Sequence, residues 1–164
     1  MDHTSVNECL EGSETVPKRW SGLVRRAIKS PPEIVWKLSA DFLGAIKYAE
    51  MIDTCELVEG EKNAVGCVRF CKGPELETKE KLIAIDPLNR CYTYTITDNN
   101  LGLEGYKATF QLITMSNGSG VIEWRFEADP SSPIGTEEKF KIQMSSLLEK
   151  LIQGLERAAA NEDK

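Results

Sequence analysis

The sequence predicts an α+β fold: one strongly curved antiparallel sheet of seven strands wrapped around a long C-terminal helix, with two short helices after the first strand. Three observations carry this reading. Residues 52–128 alternate apolar and polar side chains with period two, broken by turn-like segments. Those segments are too short for crossovers, so successive strands must pair antiparallel. The C-terminal region changes to helical periodicity, with apolar residues three and four apart.

The elements follow in order. Residues 1–17 are polar and acidic and read as a flexible leader before a single domain at 18–160, with a short flexible tail at 161–164. The first strand is Trp20 to Ile28. Ser30-Pro31-Pro32-Glu33 then opens a short helix, with Ser30 as its cap, proline at its start and Glu33 three residues on. That helix buries Ile34, Val35, Leu38 and Phe42, and a second short helix follows near Leu43 to Ala49. Six strands are expected at about 52–59, 64–71, 76–86, 90–97, 105–115 and 120–128. Between them stand turn signals such as Lys72-Gly73-Pro74 and Asp86-Pro87-Leu88-Asn89. The last helix carries one stripe: Phe140, Met144, Leu147, Leu148, Leu151, Ile152, Leu155 and Ala158.

Composition excludes several functions. A net charge of −6 offers nothing to a phosphate backbone, so no nucleic acid is expected as partner. Lys18-Arg19 and Arg25-Arg26 read as a solvated strand edge. No apolar run approaches the roughly 20 residues of a membrane span. The N-terminus lacks the order of a secretory signal, which makes a cytoplasmic location the expectation. The single histidine, His3, leaves no zinc site and no Ser-His or Cys-His pair, and neither metal nor cofactor is expected. Five cysteines, at 9, 55, 67, 71 and 91, form no disulfide framework and read as reduced, buried thiols. Cys67 and Cys71 are four apart on one strand, about 13 Å, and cannot bond to each other there.

A sheet gripping one helix leaves a gap between them, and that gap is the natural ligand site. Strand parity says what lines it, because alternate residues share a face. The inward sets are Tyr92, Tyr94 and Ile96; Tyr106, Ala108, Phe110 and Leu112; and Ile122, Trp124 and Phe126. Arg69 is in phase with Val65, Cys67 and Cys71, and Glu80 with Leu82 and Ala84. Their opposite faces are apolar too, so parity alone leaves open whether this pair faces inward or is a surface pair worth about 0–1 kcal/mol. If inward, Glu80 is a proton acceptor, Arg69 a fixed cation, and Tyr94 and Tyr106 hydrogen-bond donors. Such a set suits cofactor-free proton transfer, or simple capture of an oxygen-bearing ligand. The expected lining is Arg69, Glu80, Tyr94 and Tyr106, with Phe110, Trp124, Met144, Leu148 and Leu151 as apolar contacts.

Several stretches carry a resemblance: Arg19-Trp20-Ser21-Gly22, Cys55 to Glu61, Val65 to Phe70, Lys79 to Asp86, Tyr92-Thr93-Tyr94 and Tyr106 to Thr109. Over about residues 19–158 the chain resembles the START and birch-pollen-allergen (polyketide cyclase-like) superfamily. Within its plant branch it is most similar to the lachrymatory factor synthases. The resemblance implies a helix-grip fold with a deep cavity. Those synthases rearrange an alkenyl sulfenic acid into a thial S-oxide, moving a proton from oxygen to carbon. Their functional arginine and glutamate match Arg69 and Glu80, and their cavity tyrosines match Tyr94 and Tyr106, which favours an inward pair. The loop Gly73 to Thr78 is several residues shorter than theirs. Abscisic acid receptors form a sister group. Their gate motif is here Lys72-Gly73-Pro74-Glu75-Leu76, their latch has no counterpart in Asn99 to Leu103, and their cavity lysine falls near Ala49. The partner implied is a small hydrophobic or weakly acidic metabolite, bound by a monomer or weak dimer. The chain is either a binder of that metabolite or an isomerase acting through Glu80 and Arg69.

Overall fold

The structure, a computed structural model, describes residues 18–162. The leader at 1–17, with His3 and Cys9, lies outside the described residues, as do positions 163 and 164. Seven strands form one sheet: β1 (Trp20–Ile28), β2 (Thr54–Glu59), β3 (Val68–Lys72), β4 (Glu77–Asp86), β5 (Cys91–Asn99), β6 (Lys107–Thr114) and β7 (Gly120–Ala128). Two α-helices, α1 (Pro32–Ala40) and α2 (Glu137–Glu162), complete it, with a 3-10 helix at Phe42–Lys47. The spatial order is β1-β7-β6-β5-β4-β3-β2, and every neighbouring pair is antiparallel. The strand first in sequence therefore pairs with the last, Val24 opposite Trp124, and β2 forms the other edge. This is the helix-grip architecture.

Local chemistry moved several boundaries. β3 begins at Val68 rather than at residue 64, because Asn63 (φ 60°) and Gly66 (φ 96°) take left-handed backbone that no strand continues through. Val65, placed by parity with Arg69, is consequently exposed. Ser30 does not cap α1. Pro31 holds the cap position without a side-chain bond and Pro32 opens the helix, where a missing N–H removes nothing. The backbone N–H groups of Lys29 and Ser30 instead donate to the Glu156 carboxylate of α2, both at 2.9 Å. Phe42 falls in the 3-10 helix beyond α1.

α2 buries Phe140, Met144, Leu148, Ile152, Leu155 and Ala159 against the concave face of the sheet. Leu147, Leu151 and Ala158 flank this line and stay half-buried. The helix runs on to Glu162, into the segment expected as a tail. Gly154 is a poor helix former in mid-helix, costing about 1 kcal/mol relative to alanine. The packing requires it: a Cβ there would stand 1.8 Å from the Tyr48 carbonyl oxygen, so α2 and the segment after the 3-10 helix touch backbone to backbone.

The basic residues of β1 and of the position just before it meet carboxylates. Arg25 pairs with Glu123, Arg26 with Glu149 of α2, and Arg19 with Asp129 at 2.6 Å. No helix among the described residues is long and apolar enough to cross a membrane.

Candidate functional site

The gap between sheet and α2 holds a cavity of about 50 Å3. Most of its wall is apolar. Met144, Leu148 and Leu151 project from α2, and Trp124 from β7. Arg69, Glu80, Tyr94 and Tyr106 line the same space, so the pair that parity left open faces inward.

Register brings the ion pair together. Arg69 of β3 and Glu80 of β4 are direct cross-strand partners. Arg69 Nε donates to Glu80 Oε1 at 2.9 Å and Nη2 to the same oxygen at 2.5 Å. Only 8% of the arginine side chain and 12% of the glutamate side chain remain accessible. Arg69 Nη1 donates to the Phe42 carbonyl, and the guanidinium lies 3.8 Å from the centre of the Phe42 ring. The 3-10 helix thus supplies a carbonyl and an aromatic face to the cation. The other carboxylate oxygen, Oε2, accepts from Thr78 Oγ1 at 2.9 Å. Burial opposes the arginine charge, but the Glu80 carboxylate holds the guanidinium well above its ordinary pKa.

The tyrosines are donors, not bases. Burial first, then the charges of neighbouring phenols and Glu80, pushes Tyr94 well above the ordinary phenol range. Burial does the same to Tyr106, reinforced by Glu80. Both keep their protons at neutral pH and present O–H groups. The Tyr106 hydroxyl and the Trp124 indole N–H are buried without a hydrogen-bond partner. Trp124 Nε1 lies on the side of the Tyr94 hydroxyl but closes no hydrogen bond with it. Two unpaired donors in one cavity wall are an exception to the rule that buried polar groups are satisfied.

Phe110, expected among the lining residues, stands outside it. Its ring stacks on Tyr92 at 5.2 Å and meets Trp124 edge-on at 5.0 Å. Trp36 of α1 covers it at 6.5 Å. Inward parity holds for Phe110, but α1 closes that end of the sheet and makes it solid core rather than cavity.

A model of the family described as polyketide cyclase/dehydrase and lipid transport matches residues 19–160. The chain belongs to that family. This agrees with the START and birch-pollen-allergen superfamily to which the sequence motifs point. Abscisic acid receptor PYL1 of Arabidopsis thaliana is 31% identical over 94 residues, covering 55% of this chain and 42% of the receptor. The match thus spans less than half of that relative. Among solved structures, the protein XoxI from Bacillus cereus is similar with a TM-score of 0.75 and 21% identity, over 88% of this chain and 98% of that one. A protein of Nitrosospira multiformis follows at 0.71 and 19%, over 87% and 98%. At such identity these neighbours speak for the fold.

In this member of the polyketide cyclase/dehydrase and lipid transport family, the cavity includes residues that sequence reasoning missed. Thr78 shares its parity with Glu80 and could have been found by it. Tyr48, Ala45 and Ala49 come from the irregular segment around the 3-10 helix, where no periodicity applies. Cys71, two residues from Arg69, also lines the space. At the mouth, Met51, Leu76, Leu101 and Leu147 separate the cavity from an open outer groove that they line as well. The β3–β4 turn sits directly on this mouth. Gly73 N–H donates to the Leu76 carbonyl at 2.8 Å, and a Cβ on Gly73 would stand 1.9 Å from the Met51 carbonyl oxygen.

Proposed function

We propose that this protein binds a small, largely apolar metabolite that carries an acceptor oxygen. The observation that carries this reading is the pair of unpartnered donors, Tyr106 O–H and Trp124 N–H, in the wall of a mostly apolar cavity. A buried donor without a partner costs about 1–3 kcal/mol, which a ligand oxygen would return on binding. Family membership supports the ligand class. A water needs about 10–15 Å3 of such space, so about 50 Å3 admits only a handful of non-hydrogen atoms while the mouth is closed.

The charge of the site argues for a neutral or weakly acidic ligand. Arg69 is the cation at the cavity, and Glu80 already neutralises it. A ligand that carries a full negative charge would have to displace Glu80 from Arg69. Native mass spectrometry of the protein purified from its own tissue tests the reading. A bound neutral molecule of low mass is the expected result. A protein that stays empty and shows no thermal shift with small apolar alcohols, ketones or sulfoxides would end it.

A second reading is favoured by one observation: the Glu80 carboxylate reaches the same cavity as the two tyrosine donors. That is the equipment of a cofactor-free isomerase of the lachrymatory factor synthase type. Glu80 would carry a proton from oxygen to carbon while Arg69 and the tyrosines hold the developing negative charge. Freshly generated 1-propenyl sulfenic acid is the discriminating substrate. Formation of the thial S-oxide, abolished by Glu80→Gln, supports catalysis. Absence of product with the wild-type protein leaves binding alone.

A further inference from the structure

We propose that Cys55 and Cys71 are a modification site, a thiol pair that a peroxide converts reversibly into a cross-strand disulfide. The two residues are direct register partners, Cys55 on edge strand β2 and Cys71 on β3. Their sulfurs stand 3.4 Å apart, with Cys71 S–H donating to Cys55 Sγ. Opposed residues of an antiparallel pair have Cα atoms about 4.5–5.5 Å apart, inside the span a disulfide accepts. The sulfurs have only to close from 3.4 Å to bonding distance. No such geometry was legible in the cysteine spacing, since the partners lie on different strands.

The two thiols are unequal. Cys71 is buried in the cavity wall, while Cys55 is partly exposed. The Cys71 S–H bond lowers the pKa of the Cys55 thiol against the opposing effect of burial, and Arg69 adds to the lowering. Cys55 is therefore the nucleophile and Cys71 the resolving thiol. The Cys55 thiolate attacks one peroxide oxygen, the O–O bond breaks, and the leaving hydroxide takes a proton to become water. Cys55 is then a sulfenic acid. The Cys71 sulfur attacks the Cys55 sulfur, the S–O bond breaks, and hydroxide leaves with the Cys71 proton as a second water. Two thiols lose two electrons and the peroxide gains them. A dithiol reverses the change by exchange. The bond would tie the outer edge of the sheet to the strand that carries Arg69.

The test treats the full chain with one equivalent of hydrogen peroxide, alkylates the remaining thiols in denaturant, and maps the peptides by mass spectrometry. A cross-linked 55–71 peptide pair two mass units lighter, removed by dithiothreitol, is expected. The oxidised protein should melt about 5–10 °C higher, since the bond closes a loop of about 17 residues. Cys71→Ala should strand Cys55 as a sulfinic acid or a mixed disulfide with added glutathione. Cys55 ending as sulfinic acid in the wild-type protein, or pairing instead with Cys9, Cys67 or Cys91, would overturn the assignment. So would a peroxide-treated wild type that keeps all its thiols. These readouts use the wild-type chain and do not depend on whether a variant folds.

Discussion

Glu80→Gln is the sharpest perturbation of this structure. Gln keeps the shape, can accept from Arg69 and can still meet Thr78, but it carries no charge. At a separation of about 2.9 Å and an effective dielectric constant of about 20, the pair attracts by about 6 kcal/mol. Desolvating two ions costs several kcal/mol each, so the intact pair contributes little net stability. Breaking it is another matter. The Arg69 guanidinium would remain buried against Phe42 with only neutral carbonyl acceptors and no counter-charge. A loss of about 3–5 kcal/mol follows. For a chain of this size that is a fall in Tm of roughly 6–20 °C. Arg69→Met strands the carboxylate and should cost a similar amount. The double variant removes both charges, so it should recover much of the loss and give a coupling energy of about 2–3 kcal/mol. Urea unfolding of the four proteins measures all of this. Single losses below 1 kcal/mol that simply add would refute the buried pair and return it to the surface class.

Three further outcomes follow from the same geometry. Tyr106→Phe deletes an unpaired hydroxyl, so the ligand-free protein should keep its stability or gain up to about 1 kcal/mol, while affinity for an oxygen-bearing ligand falls about tenfold. Calorimetry and urea unfolding separate the two, and a stability loss above about 1 kcal/mol would show a hidden partner. Gly154→Ala should destabilise by about 1–3 kcal/mol although alanine favours helix, because its Cβ meets the Tyr48 carbonyl; a more stable variant would refute that contact. All four tyrosines are buried with raised pKa values: Tyr48, Tyr92, Tyr94 and Tyr106. Above about pH 10 the unfolded chain releases phenol protons that the folded chain retains, so stability is full below that pH and falls by up to about 1.4 kcal/mol per pH unit per tyrosine above it. Phenolate absorbance should therefore rise together with unfolding, and titration of the folded protein near pH 10 would contradict this.

How much of this was readable depended on local regularity. β6 keeps a strict alternation and β5 and β7 keep it over most of their length, so their inward sets could be read directly. β4 does not. Its register shifts at Lys79/Glu80 and again at Leu82/Ala84, so Leu82 is buried while Ala84, two residues on, is exposed. Parity was therefore undecided for Glu80, and only the family resemblance tipped it inward. Phe110 failed for a different reason. A face can be assigned from sequence, but whether the space opposite is filled depends on where α1 lands. Tyr48 and Ala49 belong to a stretch with no period at all. The Cys55–Cys71 contact required a register between strands separated by a long irregular loop.

The mouth of the cavity turns size into a matter of time. Met51, Leu76, Leu101 and Leu147 form a plug of side chains between the inner space and the outer groove. Side-chain rotations of this kind take picoseconds to nanoseconds, and a molecule of a few atoms can slip past them. A bulkier one needs the β3–β4 turn to lift, and that turn is seated main chain on main chain, Gly73 against Met51. Collective movements of that kind run on microseconds to milliseconds. Two molecules of equal affinity but different girth would then differ in arrival and residence by orders of magnitude. The protein would sort its visitors by how long they must wait at the door rather than by how well they fit inside.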